Sequence, residues 1–220
     1  MIAHTEIRFR DRTDAGRYLA RLLERYANRE DLIVLGLPRG GVPVAYEVAI
    51  HLHAPLDVFV VRKLGVPGHE ELAMGAIASG GVRVLNEDVV RWVPNAEAMI
   101  EAATVAESAE LSRRERLFRD DRPPPDLRNK TVILVDDGLA TGATMLAAVR
   151  ALWQREAAAI VMAVPVGSPD RCRAFESEVD EVVCATAPTD FHAVGQFYDD
   201  FSQTTDEEVR NILAAATRES

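Results

Sequence analysis

The chain has 220 residues, enough for one good core and short for two, and its 48% hydrophobic and 27% charged residues are ordinary for a soluble globular protein. No apolar run approaches the roughly 18 to 20 residues of a membrane span, and the N-terminus MIAHTEIRFRDR lacks the apolar segment of a signal peptide, so a cytoplasmic location is the default expectation. A formal net charge of −10 argues against a nonspecific grip on nucleic acid, which needs clustered Lys and Arg, but leaves room for a small anionic ligand held by local geometry.

In chain order, a first helix is predicted from Thr13, a good N-cap, to about Asn28, with Tyr18, Leu19, Leu22, Leu23 and Tyr26 on one face. The apolar run Leu32–Leu37 predicts a strand that ends in Leu37-Pro38-Arg39-Gly40-Gly41, and Pro43 can open a helix running to about His53. Leu56–Val61 reads as a second strand, Lys63–Gly75 with its Gly and Pro as a loop, and Ala76–Leu85 as a hairpin turning at Gly80-Gly81. Ala96–Phe118 is a long helix with acids early and arginines late, a charge order that suits the helix dipole. The connection RPPPDLRNK leads into a strand at Thr131–Val135. The following helix buries Met145, Leu146, Val149, Leu152 and Trp153. Strands at Ala158–Val164 and Glu181–Cys184 flank a helix from about Pro169 to Phe175, and Thr205 with Glu208 forms a capping box for a last helix. Cys172 and Cys184 make no CxxC pair, so neither a disulfide framework nor a thiolate metal site is expected, and His51, His53 and His192 lack metal-ligand spacing. Apolar strands alternating with amphipathic helices predict an α/β fold, a parallel sheet covered on both faces with its ligands at the strand carboxyl ends.

The stretch VILVDDGLATGAT, Val132 to Thr144, carries the chemistry. Two like charges at the end of a buried strand repel each other and resist leaving water, so something must compensate Asp136 and Asp137. The loop after them is no Walker loop, because Ala143 and Thr144 stand where Lys and Ser or Thr are needed, and GxGxxG is absent. A turn of small residues entering a helix offers free N–H groups, a helix dipole and the hydroxyls of Thr141 and Thr144 to a phosphate. Paired carboxylates accept hydrogen bonds from vicinal hydroxyls. A phosphate one sugar-width from two hydroxyls is a ribose 5-phosphate. The simpler reading of the acids is an exposed turn capping the next helix.

The stretch resembles the motif by which type I phosphoribosyltransferases bind 5-phosphoribosyl-1-pyrophosphate (PRPP): a hydrophobic strand, two acids, and a small-residue loop ending in Thr-Gly-x-Thr. The resemblance covers roughly Leu32 to Val164. It implies a single domain over 1–220 with its core at about 32–185, a lid or hood drawn from 63–85 and 186–205, and a small hood built from terminal segments. It implies that Asp136 and Asp137 hold the ribose, and that Gly138, Leu139, Ala140, Thr141, Gly142, Ala143 and Thr144 hold the 5-phosphate. Pro38, Arg39, Gly40, Gly41, Arg62 and Lys63 are then expected at the pyrophosphate. Mg²⁺ is implied as the cofactor, approached by Asp136 and Asp137 through water and ligand. The implied reaction displaces pyrophosphate from the anomeric carbon by a nitrogen nucleophile through an oxocarbenium-like transition state, with Asp136, Asp137, Arg39 and Lys63 as the catalytic set. The ligands are PRPP and a small nitrogenous acceptor, without nucleic acid or membrane, and a homodimer is common in that family.

Two departures bear on the acceptor. The 6-oxopurine enzymes carry an Asp before Thr-Gly where this chain has Ala140, which brings it closer to the adenine enzymes. Those enzymes carry a Glu segment in the lid, and His69, Glu70 and Glu71 are the nearest equivalents here, as candidates for acid–base work. Phe191, Phe197, Tyr198 and Phe201 are either packing or a base-stacking hood. The alternative function, in a different class, is a PRPP-sensing regulator that keeps the site without the transfer. Phosphoribosyl hydrolysis is a further possibility, and so is a synthetase, which usually needs a duplicated domain.

Overall fold

The computed structural model describes residues 7–66, 69–119 and 122–219; the side chains of 69–71 and 219 lie outside that description. Five strands form a parallel sheet in the order β2 (Leu56–Val58), β1 (Leu32–Gly36), β6 (Thr131–Val135), β7 (Ala159–Val166) and β8 (Glu181–Thr186). Every residue of β1 and β6 is buried, which is why both read as unbroken apolar runs. Successive side chains alternate between two cores. Ile33, Leu35, Val132, Leu134, Ile160 and Met162 face α5 (Ala143–Gln154) and α6 (Pro169–Ala174). Leu32, Val34, Ile133, Val135, Val161 and Ala163 face α1 (Arg12–Leu22) and α2 (Gly41–Leu52). Truncating a fully buried member such as Ile133 to Ala would cost about 2–5 kcal/mol.

The crossover after β1 leads through α2 to β2 on one side, and the crossover after β6 leads through α5 to β7 on the other. Chain direction therefore diverges between neighbouring β1 and β6. A crevice opens at such a switch point, outside the carboxyl ends of the strands.

The N-cap of helix α1 is Asp11, two residues before the predicted cap, and its carboxylate accepts the N–H of Asp14 at 2.8 Å. The helix is also shorter than predicted: it ends at Leu22, which is exposed, and a 3-10 turn follows at Glu24–Tyr26. The described residues of the segment read as a loop are strand. β3 (Val61–Val66), β4 (His69–Ala78) and β5 (Val82–Leu85) pair antiparallel. Leu64, Val66, Met74 and Ile77 are buried beneath α4 (Ala96–Arg119) and α7 (Asp206–Glu219), beside the short α3 (Glu87–Val90). The glycines that suggested a loop do other work. Gly65 sits where the register shifts between β3 and β4, and a Cβ on Gly75 would lie 2.2 Å from the Val84 carbonyl oxygen.

Two segments distant in sequence pair beside the crevice. The Phe9 N–H donates to the Phe197 carbonyl at 2.9 Å and the Asp199 N–H to that of Phe9 at 2.8 Å. Phe9, Phe197 and Tyr198 are buried together with Val166. The expected capping box is present at α7, where the Glu208 N–H donates to the Thr205 hydroxyl at 3.1 Å and the Thr205 N–H to the Glu208 carboxylate at 2.6 Å. Trp153, expected in the core, is 38% exposed on the last turn of α5 and donates its indole N–H to the Glu178 carbonyl.

Candidate active site

Asp136 and Asp137 leave β6 at the switch point. The turn after β1 lies directly against them. A Cβ on Gly40 would stand 1.9 Å from the Asp137 Oδ2, and one on Gly41 would stand 2.7 Å from the Val135 carbonyl oxygen and 2.8 Å from the Asp136 Cα. Only glycine permits this approach of backbone to carboxylate. The Leu37-Pro38-Arg39-Gly40-Gly41 turn and the acid pair, nearly 100 positions apart in sequence, therefore form one surface.

The compensating cation is Arg12, at the first turn of α1. Its Nε and Nη2 both reach Asp137 Oδ2 at 2.8 Å, its Nη1 donates to the Ser202 carbonyl at 2.7 Å, and its guanidinium lies 4.1 Å from the centre of the Phe201 ring. Nothing in the local sequence marks it, because the partners are 125 residues apart. Asp136 Oδ1 accepts the N–H of Asp137 at 2.9 Å. Among the described residues, each carboxylate thus keeps one oxygen without a protein donor, Asp136 Oδ2 and Asp137 Oδ1.

Burial pushes Asp136 well above the usual carboxylate range, and the adjacent Asp137 charge adds to the effect. Burial raises Asp137 too, against the pull of Arg12. Tyr198, which the sequence marks only as one of the late aromatics, donates its hydroxyl to the Asp137 carbonyl at 2.7 Å. Burial raises its own titration, and the Asp137 charge raises it further.

The loop after the acids has an anchored base and an open rim. Gly138 and Leu139 are buried, the Leu139 N–H donates to the Val166 carbonyl at 2.8 Å, and a Cβ on Gly138 would collide with Val194. Ala140, Thr141 and Ala143 are exposed. Gly142 adopts a left-handed φ of 77° at the N-cap of α5 with no side-chain cap, which leaves the first-turn N–H groups other than that of Ala143 open to an anion. The Thr141 hydroxyl accepts the Ala143 N–H at 3.4 Å.

The basic residues divide. Arg39 stands in the turn beside Gly40, half-buried, with Nη1 3.5 Å from Asp206. Lys63 lines a cavity of about 330 Å³ with Ala143, Leu146 and Arg150 of α5 and Gly75 and Ala76 of β4. It faces the end of the loop and not the acids. Arg62 is on the opposite strand face and pairs with Glu107 of α4 at 2.7 Å, so the two adjacent cations are not brought together. His69, Glu70 and Glu71 begin β4, and their side chains lie outside the described residues. The late aromatics split as well: Phe197 and Tyr198 are buried in packing, while Phe201 is 37% exposed under Arg12.

A family model described as a phosphoribosyl transferase domain matches residues 11–202. Two Mycobacterium tuberculosis proteins, each bearing the name "Putative phosphoribosyl transferase", are 50% identical over 211 residues, 96% of this chain. The chain spans about half the length, 47%, of these curated relatives. The crystal structure of TT1426 from Thermus thermophilus superposes with a TM-score of 0.85 at 42% identity, covering 95% of this chain and 99% of that one.

Proposed function

We propose, from the premise that the chain belongs to the phosphoribosyl transferase domain family, that it transfers ribose 5-phosphate from PRPP to a nitrogenous base, with release of pyrophosphate. The observation that carries this reading is the pair of unpaired carboxylate oxygens, one on Asp136 and one on Asp137, at the root of an uncapped loop. Two vicinal ribose hydroxyls need two such acceptors, and the 5-phosphate needs the free N–H groups and threonine hydroxyls that follow.

In this reading the Gly40-Gly41 backbone and Arg39 receive the pyrophosphate next to the ribose, while Lys63, expected there from the sequence, lies at the far end of the loop against α5. As the bond to pyrophosphate lengthens, positive charge grows on the sugar beside two buried carboxylates. Negative charge grows on the leaving group beside Arg39. Fixed charges aimed at both ends favour the transition state over the ground state. Arg12 keeps Asp137 oriented while occupying only one of its oxygens.

The donor set fits Mg²⁺ as a chelate with the ligand and not as a protein cage. Among the described residues no three His, Cys, Asp or Glu converge on one point, and Asp136 and Asp137 are the acids at hand. Mg²⁺ commonly binds through one or two carboxylates plus substrate phosphates and water. When bound it supplies neutralisation of the diphosphate charge.

One observation favours a PRPP-sensing regulator as the second reading: position 140, at the exposed rim of the loop, is alanine and offers no proton-transfer group. Pyrophosphate release from Mg²⁺-PRPP, assayed with a panel of purine and pyrimidine bases, separates the two. Release that depends on one base establishes a transferase and names its acceptor. PRPP binding with no release for any base refutes the transferase and supports the sensor.

A further inference from the structure

Cys172 and Cys184 are absent from the proposed chemistry, yet they are placed together. Cys172 lies on α6 and is buried, while Cys184 lies on β8 and is partly exposed. Both are free thiols, with their sulfurs 2.8 Å apart. A disulfide needs about 2.05 Å, so bond formation asks for an approach of roughly 0.8 Å. Cys184 also reaches the Thr186 carbonyl at 3.3 Å, which holds its sulfur on the α6 side of the strand.

The pair is packed into the back of the 138–144 loop. A Cβ on Gly167 would meet the Cys172 sulfur at 2.9 Å and the Leu139 Cβ at 3.0 Å, so Cys172 and Leu139 both pack against Gly167. Leu139 and Gly167 form a parallel bridge. One helical turn beyond Cys172, the ring of Phe175 lies where a Cβ on Gly142 would be, 2.9 Å away. Gly142 thus rests on Phe175, the C-cap of α6, and Leu139 on Gly167, against which Cys172 packs. The Phe175 N–H donates to the Cys172 carbonyl at 3.2 Å, so a backbone shift at Cys172 on bonding to Cys184 would be passed to Phe175.

We propose that Cys172 and Cys184 form a reversible disulfide that resets the 138–144 loop, and so couples the thiol redox state to occupancy of the site. The coupling to a phosphorylated ligand rests on the reading of that loop as the 5-phosphate site; the disulfide and its effect on the loop do not. The step is thiol–disulfide exchange with a small disulfide such as oxidised glutathione. One cysteine, as thiolate, attacks a glutathione sulfur and expels one glutathione thiolate. The other cysteine then gives up its proton, attacks the first cysteine's sulfur in the mixed disulfide, and expels the second glutathione. Two protein thiols are oxidised, one glutathione disulfide is reduced to two thiols, and reduced glutathione reverses the sequence.

The test uses the whole chain, equilibrated in oxidised and in reduced glutathione. Alkylation after denaturation, read by mass spectrometry, should count two reactive thiols in the reduced protein and none in the oxidised. Two reactive thiols in both would overturn the proposal. Hydrogen exchange of residues 138–144 should then differ between the two states in the parent, and not in Cys184→Ser or Cys172→Ala. Equal exchange in the parent would overturn the coupling. A PRPP titration separates the remaining failure. Affinity is expected to fall at least about fivefold on oxidation, the lower end of ordinary coupling between linked sites. A loop that switches in a protein binding no PRPP in either state would refute the reading of the site and leave that of the cysteine pair standing.

Discussion

Arg12→Met is the perturbation that most directly reads what holds the acid pair in place. Arg12 and Asp137 are 12% and 16% exposed at their side chains, which sets them apart from solvated pairs. An exposed ion pair contributes about 0–1 kcal/mol, whereas stripping one partner from a buried pair costs about 3–5 kcal/mol, because the remaining charge is stranded. Residual exposure discounts that figure. The donor to the Ser202 carbonyl and the contact with the Phe201 ring go with the same side chain and add about 1 kcal/mol or more. We expect Arg12→Met to destabilise the fold by about 3 kcal/mol in urea titrations, or about 6–12 °C in melting temperature for a chain of this size. The cycle with Asp137→Asn supplies the check. Asn removes the stranded charge, so the double variant should be more stable than the sum of the two single losses predicts, by about 1–3 kcal/mol. A loss below about 1 kcal/mol for Arg12→Met, or strict additivity, would show that solvent and not Arg12 compensates the acids.

Asp136 titrates above the ordinary carboxylate range when folded, so the folded state binds protons that the unfolded chain has already lost. Stability should therefore fall as pH rises from about 4 through that raised value, and Asp136→Asn should flatten the slope in denaturation curves at a series of pH values; parallel profiles would contradict the raised titration. Gly40→Ala places a methyl 1.9 Å from Asp137 Oδ2 and should abolish PRPP binding in calorimetry while costing about 1–3 kcal/mol of stability, and binding at the parent affinity would refute the contact. Arg39→Ala should weaken PRPP far more than ribose 5-phosphate, because only the former carries pyrophosphate. Equal losses would show that this turn does not serve the pyrophosphate.

The parallel core was legible because β1 and β6 are buried on both faces and need apolar side chains at every position, a pattern that requires no partner to be known. The acid pair and the loop after it were legible for a related reason: charge at the end of a buried strand is costly enough to demand an explanation. The antiparallel sheet was legible only in part: the hairpin turning at Gly80-Gly81 is present between β4 and β5, but most of β3 and the first half of β4 were read as a loop. Its glycines at 65 and 75 serve a bulge and a close strand approach, yet in sequence they look like turn residues. Arg62 and Lys63 are adjacent in sequence and opposite in space, because the residue pair fell in a strand and not in a loop. Trp153 carries the helical spacing of a core residue, but its ring lies at the edge of that face, where its indole N–H reaches the Glu178 carbonyl. Arg12 was out of reach, since its partner lies 125 residues away and its own neighbourhood reads as an ordinary helix start.

The central claim is that Asp136, Asp137 and the loop after them bind the ribose 5-phosphate half of PRPP. Its most direct measurement is calorimetric titration of Mg²⁺-PRPP into the parent chain and into the Asp136→Asn/Asp137→Asn variant, with folding of both checked by circular dichroism. The account predicts saturable binding to the parent and none to a folded variant. Equal affinity for the two, or no binding to the parent, would contradict it.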